Sequence, residues 1–187
     1  MAIQRAMLLL MGNFSRTTST EALQVLMGCL PLDLEVVRSA LRYFLRRGKT
    51  TSLGGLSLQP LPEGEVQSDF RIWLLNERKK KLDDDDLLVQ WKCRWTFSQK
   101  GRTTYKFLPD ATMGRRIVPT DFSNAVSRLV TGHGQIKGKW YEVGLISDGC
   151  CHCGKMETAE HIIFECICYE DLREKLWRAY WHTSLVA

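Results

Sequence analysis

A mainly α-helical chain is what these 187 residues predict, and three observations carry the expectation. The N-terminal quarter holds two apolar segments at helical spacing, each opened by a capping residue and closed by a glycine. Further helical segments run through a basic middle. Cysteines and a histidine then crowd together ahead of one last amphipathic helix.

Residues 1–47 form the first helical region. Ser19 or Thr20 caps a helix that runs to Met27, and Gly28 stops it. Asp33 caps a second helix with Leu34, Val37, Leu41, Phe44 and Leu45 on one face; Arg38, Arg42, Arg46 and Arg47 lie elsewhere, and Gly48 ends it. The opening run to Met11 is apolar but short and lacks a small-residue cleavage site, so it reads as the end of a helix from a longer chain rather than a signal peptide. Residues 48–68 hold Gly48, Gly54, Gly55, Pro60, Pro62 and Gly64 with no apolar period, which predicts an exposed linker.

Residues 69–146 read as a basic helical region. One helix runs from about Phe70 to Lys81. The next runs from Leu87 to Trp95, with Asp83 to Asp86 at its start offsetting the positive end of the helix dipole. Gly101 to Arg116 is expected to be irregular or weakly extended. A helix through Val126, Leu129 and Val130 is capped by Thr120 or Asp121 and broken at Gly132-His133-Gly134, where His133 reads as a cap or packing residue. A short amphipathic piece through Trp140, Val143 and Ile146 leads into residues 147–187, which hold the cysteine cluster and a last helix from Tyr169 to Trp181.

Composition narrows the classes of function. No apolar run is long enough to span a membrane. Of the seven cysteines, Cys29 and Cys93 stand alone, while Cys150, Cys151, Cys153, Cys166 and Cys168 surround His161. Clustering beside a histidine, with no secretory signal, points to a metal in a reducing compartment rather than a disulfide framework. The net charge of +5 is uneven. Residues 69–118 carry twelve Lys/Arg against seven Asp/Glu, whereas residues 148–187 carry four against seven. A polyanion is therefore attracted to the middle and repelled by the tail.

Cys150, Cys153, His161 and Cys166 follow the pattern C-x2-C-x7-H-x4-C, which predicts a zinc site. Cys150 and Cys153 can converge across a turn, and Gly154 lets the chain fold back. His161 and Cys166 close the tetrahedron across a helical stretch from Ala159 to Phe164, with Ile162, Ile163 and Phe164 as a small core. Cys151 and His152 read as bystanders, because Cys151 and Cys153 would bite across a single residue. Cys168 is an alternative to Cys166. Four protein ligands leave no position for water, so the zinc is expected to be structural.

These residues carry a likeness. Cys150, Cys153-Gly154, Glu157-Thr158-Ala159-Glu160-His161 and Phe164-Glu165-Cys166 resemble the tail of non-LTR retrotransposon Pol polyproteins (reverse transcriptases). Leu129-Val130-Thr131-Gly132-His133-Gly134 resembles their recurring TGHG element. Trp91, Arg94-Trp95 and Lys100-Gly101-Arg102 resemble the tryptophan-rich block before it. Arg16 to Leu23, Gly28 and Pro31-Leu32 resemble the segment after the polymerase thumb. Within that family the likeness runs to the type-1 ribosomal-DNA-inserting elements of arthropods. The resemblance implies a parent with an endonuclease, an RNA-directed DNA polymerase that needs Mg²⁺, and work in the nucleus. It makes this chain a C-terminal fragment, with Met1 as a fragment edge or internal methionine. Asp83 to Asp86 lack the hairpin setting of polymerase aspartates. No catalytic residue is therefore expected in the fragment.

Two functions follow for the fragment. In the first it binds RNA or DNA and scaffolds the polymerase. Arg78, Lys79, Lys80, Lys81, Arg102 and Lys106 then meet phosphate. Trp73, Trp91, Trp95 and Tyr105 are either stacking surfaces or core, and the four-residue spacing of Trp91 and Trp95 favours core. In the second, a zinc module of net negative charge braces the polymerase without touching nucleic acid, docking through Ile162, Phe164 and Trp177.

Overall fold

The computed structural model describes residues 2–12, 14–59, 68–116 and 123–184. The chain is mainly helical and divides into two units, Met1–Phe122 and Ser123–Ala187. The division falls within the stretch expected as one basic region.

The first unit opens with α1 (Ala2–Met11), α2 (Thr20–Leu26) and α3 (Leu32–Arg46). Ser19 Oγ accepts the Ala22 N–H at 3.2 Å, and Gly28 closes α2 at φ 60°. Asp33 does not cap α3. Pro31 takes that place with φ −49°, and Asp33 sits in the first turn, paired with Arg94. Proline's locked φ opens a helix without a donor, and the carboxylate still meets the dipole. Leu23, Val25, Leu26, Leu34, Leu41 and Leu45 are buried.

Part of the expected linker is structured. Strands β1 (Thr51–Leu53) and β2 (Leu56–Leu58) pair antiparallel, Thr51 opposite Leu58. Gly54 and Gly55, at φ 61° and 78°, make the two-residue turn between them. Such turns need positive φ at both centres, which glycine alone reaches without strain. Gln90 Nε2 donates to Gly54 O at 3.0 Å and ties the hairpin down. Pro60, Pro62 and Gly64 lie outside the described residues.

Helix α4 (Ser68–Lys80) passes through a π-helical turn (Lys81–Asp86) into α5 (Leu87–Phe97). Asp83 to Asp86 therefore lie inside continuous helix, and there is no helix start for them to offset. The apolar spacing shows why. Leu82, Leu87, Trp91 and Trp95 are all buried, at intervals of five, four and four. The five-residue step needs the wider i→i+5 turn to keep Leu82 on the face of the other three, and the Leu87 N–H does donate to Leu82 O.

Gly101–Arg116 is helical where irregular chain was expected. It holds α6 (Arg102–Phe107) and a 3-10 turn (Met113–Arg116). Long-range contacts decide this. The Trp95 indole donates to Leu108 O at 2.8 Å, and a Cβ at Gly114 would stand 1.7 Å from Val25 O.

The second unit holds α7 (Asn124–Thr131), α8 (Lys137–Glu142) and α9 (Glu170–Ser184). Ser123 caps α7 by accepting the Val126 N–H at 3.3 Å. The expected caps Thr120 and Asp121 lie outside the described residues. Gly132 ends α7 at φ 72°, and the His133 N–H donates back to Arg128 O at 2.8 Å, so His133 helps close the helix. No helix among the described residues is long and apolar enough to cross a membrane.

Candidate metal centre and candidate nucleic-acid interface

A short hairpin opens the cysteine cluster. Cys150 bridges Met156 antiparallel, the Glu157 N–H donates to Gly149 O at 2.9 Å, and the Cys151 N–H donates to Lys155 O at 2.8 Å. Gly154, at φ 85°, turns the chain between the two arms, and a Cβ there would meet nothing within 4 Å. A side chain at 154 is therefore opposed by the backbone conformation and not by crowding. Thr158 Oγ1 accepts the His161 N–H at 3.1 Å and starts the π-helical turn His161–Glu165. The Cys166 N–H closes that turn onto His161 O at 2.7 Å.

These two pieces bring Cys151, Cys153, His161 and Cys166 together, their ligand atoms all within 4.8 Å of one another. Cys151 Sγ lies 3.5 Å from Cys166 Sγ, and Cys153 Sγ lies 3.0 Å from His161 Nε2. Tetrahedral zinc with Zn–S near 2.3 Å spaces its sulfurs by roughly 3.8 Å. Three thiols and an imidazole in this compass fit zinc, and His161 would bind through Nε2. Its Nδ1 has no hydrogen-bond partner and faces Glu165 Oε2 at 3.8 Å, the carboxylate position that orients many metal-binding imidazoles.

Of the expected ligands, Cys153, His161 and Cys166 are in the cluster; Cys150 is not, and Cys151 stands in its place. Neighbouring residues on an extended arm point to opposite faces. The face meeting His161 and Cys166 takes Cys151, so Cys150 turns away. Its N–H donates to Asp148 Oδ1 at 2.9 Å, and the Asp148 carboxylate raises the Cys150 thiol pKa. The Cys151 thiol is instead held down, first by the Cys153 N–H, while burial and the neighbouring Cys151 push the Cys166 thiol up. A count of residues between cysteines misses this, because it ignores the alternation of the hairpin arm. The signal was the hairpin itself, Gly149 to Glu157 around Gly154. Cys168 is exposed and outside the cluster, as is His152.

Helix α8 is fastened to the hairpin. Buried Glu157 accepts the Lys137 N–H at 2.8 Å, and a Cβ on Gly138 would stand 2.3 Å from Glu157 O. That contact accounts for a glutamate four residues ahead of the clustered histidine.

The basic side chains divide. Lys79, Lys80, Lys81 and Lys106 are exposed. Arg78 is half-buried and donates to Gln59 O at 2.6 Å. Arg102 donates to the carbonyls of Trp95, Thr96 and Ser98, closing the end of α5, and lies 3.7 Å over the Tyr105 ring. Arg102 thus serves the fold. Trp91 and Trp95 are core, at 2% and 1% exposure, whereas Trp73 is 54% exposed and stacks on Phe70.

Comparison with known proteins gives a consistent set of relatives. The chain is 35% identical over 172 residues to a "Retrovirus-related Pol polyprotein from type-1 retrotransposable element R1" of Bradysia coprophila, covering 91% of this chain and 16% of the relative. It is 34% identical over 162 residues to the Pol polyprotein of element R1 2 of Nasonia vitripennis, covering 86% and 37%. A 115 kDa protein in element R1DM of Drosophila melanogaster is 36% identical over 174 residues, covering 91% and 16%. The chain thus spans between about one-sixth and two-fifths of the length of these relatives. No family model matches, and no solved structure matches.

Proposed function

Because this chain is homologous to part of the Pol polyproteins of R1 retrotransposable elements, we propose that it is the nucleic-acid-binding and scaffolding part of such a polyprotein. The whole would act as RNA-directed DNA polymerase and endonuclease in target-primed reverse transcription, in the nucleus, with Mg²⁺ serving the polymerase. The observation that carries the reading is the convergence of three thiols and an imidazole in a chain of this ancestry. Cys151, Cys153, His161 and Cys166 would hold a structural zinc whose binding energy folds the module. Phosphate would be met by Lys79, Lys80 and Lys81, with Lys106 on α6.

Elemental analysis tests the ligand set. Cys151→Ser is expected to lose the zinc and Cys150→Ser to keep it; the reverse result would return Cys150 to the site. Binding to single-stranded RNA, followed by anisotropy against salt, tests the basic helix. Changing Lys79, Lys80 and Lys81 together to Ala should flatten the salt slope by about 2, at roughly 0.7 per phosphate contact.

A second reading has its own observation. Phe164, Ile167, Leu172, Leu176 and Trp177 are exposed in the second unit, an apolar set suited to a protein neighbour. If the zinc-loaded chain binds no RNA at low salt, the zinc module braces the polymerase without nucleic-acid contact.

A further inference from the structure

Helix α4 is unlike the others of the first unit. Leu74, Leu75 and Arg78 are its half-buried residues; Phe70, Ile72, Trp73, Asn76, Lys79 and Lys80 are exposed. Phe70 and Trp73 are 48% and 54% exposed and stack on one another, with ring centroids 5.6 Å apart and planes 29° from parallel. Large aromatics that pack into a core do not stay half in water, as Trp91 and Trp95 show in the adjoining helix. At 3.6 residues per turn, Trp73 and Lys80 lie on one stripe, about 10.5 Å apart along the axis. Glu77 lies about 40° from Trp73 on the Phe70 side, and Lys79 lies about 100° beyond Lys80 on the other side, so phosphate is drawn past Lys80 toward Lys79 and away from Glu77. Beyond Lys81 the sequence turns acidic at Asp83, and the phosphate-attracting stretch ends there.

We infer that Phe70 and Trp73 are a stacking platform for unpaired bases of a single-stranded nucleic acid, whose phosphates run over Lys79 and Lys80. The inference rests on the nucleic-acid reading above and deepens it. A flat ring pair accepts any base face, and base–aromatic stacking strengthens single-strand binding whatever the sequence. A paired base shows no face to a ring. The site therefore discriminates single strand from duplex rather than one sequence from another. The adjacent lysines choose a polyanion over an apolar protein surface.

The test uses the full chain, an unstructured oligouridylate, an abasic strand of the same length and an RNA duplex, each followed by anisotropy against salt. Trp73→Ala is expected to weaken oligouridylate binding by about tenfold, with the salt slope unchanged. Abasic-strand and duplex binding should not move, and Trp73→Tyr should restore most of the loss. Phe70→Ala should act in the same direction. Both rings are exposed, so circular-dichroism melts of the variants should match the parent. The Lys79→Ala, Lys80→Ala double variant should flatten the slope by about 1.4 on both single strands. If Trp73→Ala changes nothing while the lysine variant weakens binding, the platform is wrong and the basic helix stands. If it weakens abasic and base-bearing strands alike, stacking is wrong. If neither variant matters, both readings fall. Loss of polymerase-segment binding with unchanged RNA binding would make this a protein-docking face and overturn the platform.

Discussion

The two units reach order by different physics. Met1–Phe122 buries large apolar side chains from α1, α2, α3 and α5, among them Leu8, Leu23, Leu26, Leu34, Leu41, Leu87, Trp91 and Trp95. Among the described residues of Ser123–Ala187, the buried apolar groups are Ile136, Cys151, Ala159 and Cys166, and the buried polar ones are Ser127, Thr131, Glu157 and His161. An aliphatic and aromatic core can hold the first unit. The described residues of the second bury few apolar groups to offset the entropy of ordering its chain, and at their centre is a set of residues able to hold a metal. Zinc held there, as proposed above, would supply the folding energy of such a module.

The largest effect that would break this contrast is metal removal. Chelation, or Cys153→Ser, or His161→Ala, should unfold the hairpin and the turn after it, because structural zinc contributes roughly 10–16 kcal/mol of apparent binding free energy in such modules. Hydrogen exchange should show residues 149–166 losing protection while amides around Trp91 and Trp95 keep theirs. Protection retained at both places would mean that the second unit has a sufficient core without metal.

Next in size is the reverse experiment. Trp95→Ala empties a core position and orphans the Leu108 carbonyl it serves, and is expected to cost about 3–5 kcal/mol. Denaturant melts should register the loss while zinc content stays at the parent value. A zinc loss in this variant would show that the units are energetically one. The smallest effect compares two equivalent caps. Ser19→Ala in the first unit and Ser123→Ala in the second each remove a hydroxyl that accepts a helix N–H, worth about 1 kcal/mol. With zinc bound both should lower stability by this amount. After chelation only Ser19→Ala should still be measurable, because α7 no longer has a folded unit to report on.

Much of this architecture was legible before any coordinates. The helices over 20–26, 32–46 and 87–97, the glycine stops after the first two, and the place of the cysteine–histidine cluster all follow from local rules of period, capping and spacing. The cap assigned to Asp33 and the helix start assigned to Asp83–Asp86 failed for one reason. A carboxylate is equally at home on an exposed turn, and which it takes depends on Arg94 across the fold or on the burial of Leu82 and Leu87. The hairpin at 51–58 was hidden because Gly54-Gly55 reads as a breaker until its neighbours are seen to pair.

What the sequence determined by itself was the helical class, the ancestry and the presence of a Cys/His cluster, because these depend on residue types and their separations along one chain. Tertiary structure decided which cysteine faces the cluster, which tryptophans are core and which arginine is occupied. Each of those is a choice of direction. Cys150 and Cys151 differ by one step along an extended arm, and Trp73 and Trp91 are alike in sequence until one helix face is covered and another is left open. Direction is set by what arrives from distant parts of the chain: His161 and Cys166 at the hairpin, and Leu108 at the indole of Trp95.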